Sequence, residues 1–247
     1  MKRFGLRMSV VAMVVALGGC AATETMIAKK DLDVQARTST AIFVDPVPRD
    51  KRTVYLDVKS GVMEFDRNRF RQFVIQQFAQ NANGYRVVDD PDAAQFQMVV
   101  YVLNLEKASP TAAQQALGQG YQGGAIVAGS AIGAAATRSW AGAGVGGVVG
   151  GAAELIAGAA VKDVTYMLVT DVQIKERAAK GVIVRKDTRV DTKVSDAGAA
   201  RQTSSEVSDR KEYRTRIVTT ANKANLTLPE AEELMFQKTA YSMSGFF

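Results

Sequence analysis

The stretch Gly142–Gly151, GAGVGGVVGG, holds six glycines in ten residues and no polar side chain. A soluble helix tolerates this poorly, because each glycine costs about 1 kcal/mol relative to alanine. Flexible linkers are polar, whereas the surrounding segment carries Ile126, Val127, Ile132, Val145, Val148, Val149, Leu155 and Ile156. Thirteen of the 21 glycines fall between Gly118 and Val161, with Arg138 and Glu154 as the only charges in that interval. A linker, a buried helix pair and a membrane-inserted helical hairpin are the competing readings. The sequence favours the hairpin, because a bilayer forces the backbone to satisfy itself and glycine lets helices approach closely.

Spacing supports the same reading. Gly120 and Gly124, Gly129 and Gly133, and Gly142, Gly146 and Gly150 recur at four-residue steps, which places each set on one helix face. Such faces serve helix packing and predict a ring-like homo-oligomer, since one hairpin cannot bury both. Tyr121–Thr137 and Ala141–Val161 are long enough for two spans. Arg138 and Trp140 between them suit an exposed tip at the far membrane surface. Glu154 continues the step of Gly142, Gly146 and Gly150. It either stays hydrated near the boundary or faces the interior of an oligomer.

At the N-terminus, MKRFGLRMSVVAMVVALGGC has a basic start, the apolar run Met8–Leu17 and then small residues. That is a signal peptide, too short to span a bilayer. Its end, Leu17-Gly18-Gly19-Cys20, resembles the lipobox of bacterial lipoproteins. The resemblance implies cleavage between Gly19 and Cys20, with a diacylglycerol thioether and an amide-linked acyl chain on Cys20. Several acyl chains hold a protein on a membrane stably, at about 0.8 kcal/mol per buried methylene. By the general rule for such proteins, Ala21 after the cysteine favours the outer membrane.

The expected organisation is a signal peptide over 1–19 and a lipidated tether over 20–40. An α+β domain then begins at 41–117, is interrupted by the hairpin at 118–161, and resumes at 162–247. Thr53–Val58, Phe96–Leu105, Asp163–Arg177 and Tyr213–Thr220 read as strands. Phe70, Phe73, Val74 and Phe78 line one face of a helix capped by Asp66 and ended by Asn83-Gly84. Pro229–Met243 reads as a second helix, with Glu230, Glu232 and Glu233 in its first turn. Gly181–Lys186 is expected to pair back on Asp163–Arg177, and Ser195–Asp209 to be a loop.

Chemistry is mostly excluded. The chain has no histidine and one cysteine, so a serine–histidine triad and histidine metal sites are absent. Lipidation would consume Cys20, and no P-loop or dinucleotide fingerprint is met. Without the first 19 residues, 28 basic face 25 acidic side chains, a balance that gives no reason to invoke nucleic acid. No metal, no cofactor beyond the lipid and no catalysis are expected.

Several stretches resemble the TraT family of outer-membrane lipoproteins. They are Gly120-Tyr121 with Gly123-Gly124-Ala125, Asp163-Val164-Thr165-Tyr166, and Thr170-Asp171-Val172-Gln173-Ile174 with Glu176-Arg177. Tyr213-Arg214-Thr215-Arg216-Ile217-Val218 and Ala221-Asn222-Lys223-Ala224-Asn225-Leu226 complete the set. The resemblance implies an oligomeric, lipid-anchored protein that reduces entry of related conjugative plasmids, with resistance to complement as a further role. Its implied partners are outer-membrane lipid, copies of itself and a donor-cell surface component. An oligomeric outer-membrane pore or secretion-accessory lipoprotein is the alternative that the residues leave open.

Overall fold

Residues 29–121, 162–194 and 198–247 are described in a computed structural model of the chain. Their strands are β1 Asp33–Thr38, β2 Thr53–Ser60, β3 Arg86–Val88, β4 Phe96–Ala108, β5 Asp163–Arg177, β6 Val184–Val194, β7 Gly198–Ser208 and β8 Arg210–Ala224. The helices are α1 Arg67–Gln80, α2 Pro110–Gln119 and α3 Leu228–Ser244. Six strands form one sheet in the order β1-β8-β5-β4-β2-β3, while β6 and β7 form a separate two-stranded ribbon. β2 runs parallel to both β3 and β4, with α1 crossing over between β2 and β3. The pairs β4–β5, β5–β8 and β8–β1 are antiparallel.

Strand alternation sends one residue set to each face. On one face Val54, Leu56, Met98, Val100, Leu168, Val172, Ile174 and Ile217 are buried beneath α1 and α3. Helix α1 starts where the Asp66 side chain accepts the Arg69 amide at 2.9 Å. It buries Phe70, Val74 and Phe78. The chain turns away at Gly84, whose φ of +71° suits glycine. Phe236 of α3 joins the helices, its ring 5.1 Å from Phe70 and 5.2 Å from Phe65. Burying each such ring contributes about 1.5–3 kcal/mol. A register shift between Val102 and Asn104 swaps the faces of β4, so Leu105 returns to this core while Leu103 faces the other side.

That other face is covered at one end only. Helix α2, capped by the Ser109 hydroxyl on the Ala112 amide at 3.1 Å, sets Ala116 and Leu117 on Met167, Val169 and Val218. The remainder of the face is open.

The membrane-inserted hairpin does not stand. Among the described residues no helix is long and apolar enough to cross a membrane. The helix that reaches into 118–161 is α2, of ten residues, or about 15 Å at 1.5 Å per residue. It ends at Gly120, where φ is +84° and ψ 160°, a backbone conformation that breaks a helix and that side-chain-bearing residues avoid. The expected continuous packing face through Gly120 is thus interrupted at its first residue. The fold is α+β, and residues 122–161 lie outside the described residues. Attachment through an inserted hairpin is withdrawn from the localisation with it.

Two further expectations change. Strand β5 pairs with β8 along its whole length, from Asp163–Ala224 to Arg177–Arg210, not with Gly181–Lys186. The polar stretch expected as a loop contributes β7, in continuous register with β6 from Val184–Ser208 to Val194–Gly198. Asp33–Thr38, inside the segment read as a tether, is the edge strand β1.

Candidate functional site

The open face is organised by register. Lys59 of β2 pairs with Tyr101 of β4, Tyr101 with Asp171 of β5, and Asp171 with Arg216 of β8. The Ser39 amide, just beyond β1, donates to the Arg216 carbonyl at 2.8 Å. A cation, an aromatic ring, a carboxylate, a guanidinium and a hydroxyl therefore lie in one row across five strands. Asp57, Val99, Gln173 and Arg214 form the neighbouring row on the same strands.

Arg216 is the most constrained member. Its Nε and Nη2 donate to the two oxygens of Asp171, the latter at 2.9 Å, and Nη1 donates to the Tyr121 carbonyl at 3.0 Å. The guanidinium carbon lies 5.5 Å from the Tyr121 ring centroid. Hydrogen bonds to Asp171 raise the Arg216 pKa further, against the effect of burial. Such a two-pronged pair fixes both partners in one plane.

Glu212, farther along β8, is a second node. It accepts from Lys186 of β6 at 2.6 Å, from Arg214 at 2.5 Å and from the Gln173 amide. Burial pushes its carboxyl up, but the hydrogen bonds from Lys186, Gln173 and Arg214 outweigh it and hold the pKa at about 2. Tyr101 lies over Gly61, where a Cβ would come within 2.9 Å of the Tyr101 hydroxyl. Glycine there lets the ring rest against the end of β2.

Together these residues floor an open trough of about 660 Å³, walled by Gln119, Gly120 and Tyr121. A smaller hollow of about 250 Å³ shares Ser39, Gln119, Gly120, Tyr121 and Arg216 with it and extends it to Arg37 and Val218. Among the described residues no cluster of His, Cys, Asp or Glu can hold a metal ion. The arrangement can bind, but it contains no nucleophile paired with a base.

Of the residues singled out in the sequence, only Gly120 falls among those described, as the C-cap of α2 and part of the trough wall. Gly19, Cys20, Gly124, Gly129, Gly133, Arg138, Trp140, Gly142, Gly146, Gly150 and Glu154 lie outside the described residues. Sequence reading missed Tyr101, Asp171, Arg214 and Arg216 as a group. A signal existed for β8, where Glu212, Arg214 and Arg216 recur every second residue and so share a face.

Residues 31–247 match the family described as TraT, enterobacterial TraT complement resistance protein. An Escherichia coli protein named TraT complement resistance protein is 35% identical over 244 residues, covering 97% of both chains. The protein of that name from Escherichia coli strain K12 is 34% identical over 248 residues, covering 97% of this chain and 96% of its own length.

Proposed function

Because this chain belongs to the TraT family, we propose that it works as that family does, in surface exclusion and complement resistance at the outer membrane. The carrying observation is the extent of the match, 97% of both chains. The role is that of a barrier or binding protein, not of an enzyme, and the pore or secretion-accessory alternative is set aside.

TraT proteins are outer-membrane lipoproteins. In this reading the diacylglycerol and the N-linked acyl chain sit on Cys20 after cleavage at Gly19. The anchor then joins the fold at one end of the sheet, where the Lys29 carbonyl accepts the Ala224 amide at 3.0 Å. Self-association into a homo-oligomer belongs to the same reading, with the four-residue glycine steps of 118–161 as the sequence support. A donor-cell surface component is the outside partner.

Conjugation measures this directly. Recipients expressing the chain should take up the cognate plasmid less often than recipients with an empty vector, while an unrelated plasmid transfers normally. Unchanged transfer of the cognate plasmid, with the protein correctly fractionated to the outer membrane, would overturn the reading.

A further inference from the structure

We propose that the open trough on the uncovered sheet face binds an acidic glycan chain. Three properties select that chemistry. The trough crosses the strands instead of following them, and β4, β5 and β8 beneath it are each hydrogen-bonded on both sides. An extended peptide therefore finds no free backbone edge to pair with. What the floor offers is side chains of fixed planar geometry. The locked Asp171–Arg216 pair still has unused acceptor lone pairs and two unused N–H groups. Gln173 is held beside it by Glu212. Rigid planar donors and acceptors side by side match the paired hydroxyls of a sugar ring.

An apolar face for the ring comes from Tyr101, which is 42% exposed on a floor otherwise rich in polar groups. Sugar rings stack their C–H faces on such an aromatic. Charge then sets the sign. Lys59 and Arg214 line the trough at 58% and 69% side-chain exposure, and Arg37 lines its extension. Asp171, the one carboxylate in the lining, is already neutralised by Arg216. The carboxylates paired with Lys59 and Arg214, Asp57 and Glu212, lie outside the trough lining. Those cations are free to turn to an anion on the ligand, because exposed pairs are weak. Five strands at about 4.8 Å spacing give a row roughly 19 Å long, which suits a short run of rings better than a single small molecule.

The test uses the detergent-solubilised mature protein and calorimetric titration with three probes: hexagalacturonate, neutral maltohexaose and hexaglutamate. Hexagalacturonate should bind at least about tenfold more tightly than either of the others. Tyr101→Ala should weaken both sugars, whereas Arg214→Ala should weaken hexagalacturonate and leave maltohexaose unchanged. Tyr241→Ala, at an exposed tyrosine on α3, should change neither, and thermal melts of all three variants should match the parent. Absence of hexagalacturonate binding overturns the proposal. Equal binding of hexaglutamate does so too, by reducing the site to charge, as does binding that both trough variants leave intact. None of these outcomes bears on plasmid exclusion, so the two readings fail separately.

Discussion

Glu212 concentrates more charge-assisted contacts than any other carboxylate on the open face, and they reach it from three strands. Lys186 arrives from the ribbon, Gln173 from β5 and Arg214 from its own strand. Its pKa of about 2 against an ordinary 4.5 means that the folded state favours the ionised form. The resulting stability is complete above pH 4.5 and fades as the pH falls towards 2. Solvent screening of the exposed Arg214 and Lys186 limits it to about 1–2 kcal/mol. Glu212→Gln should therefore lower the melting temperature by roughly 2–8 °C at pH 7 and by nothing measurable at pH 2. Melting curves across that range check both ends. An equal deficit at pH 2 would mean that the residue acts through packing, not charge.

The ribbon β6–β7 is an appendage in energetic terms as well as in topology. The Ala178 amide already donates to the Asp209 carbonyl at 2.8 Å, so β5 and β8 would close into a hairpin without it. Replacing 180–207 by two glycines should leave the six-stranded sheet intact. The cost is the Lys186–Glu212 contact, a partly exposed pair of about 0–1 kcal/mol, hence a melting shift within about 4 °C. Circular dichroism with a melting scan tests it, and loss of cooperative unfolding would show that the ribbon helps to build the core. The same independence explains why the ribbon was illegible in the sequence. Strand periodicity is written by a buried face, and a polar two-stranded ribbon without a core partner writes none. Helix α1 was legible because its cap, its apolar stripe and its Asn83-Gly84 stop are all local. Helix α2 was not, since its buried side chains, Ala113, Ala116 and Leu117, are mostly too small to mark a face. The trough lay furthest from view. Lys59, Tyr101, Asp171 and Arg216 come from four strands and meet only through register, which no spacing along the chain records.

At the scale of the whole molecule, the two ends of the sheet differ. Lys29 and Lys162 both bond to the end of β8 at Ala224 and Asn225, so the N-terminal segment and the glycine-rich segment leave from the same pole. The ribbon leaves from the other pole, beyond the Arg177–Arg210 pair. Fifteen residues of β5 at about 3.4 Å each separate the poles by roughly 50 Å. An anchor on Cys20 would hold the first pole at the membrane and present the ribbon away from it. Every core contact described above lies within 29–247, so the anchor contributes location without contributing to the fold. Cys20→Ser should accordingly give a chain that leaves the membrane fraction yet melts at the parent's temperature. Exclusion, which needs the domain held at the envelope, should fall to the empty-vector level in the mating assay. Full exclusion by a soluble Cys20→Ser chain would separate the function from the anchor. A changed melting temperature would show that the lipidated segment packs on the fold instead of merely tethering it.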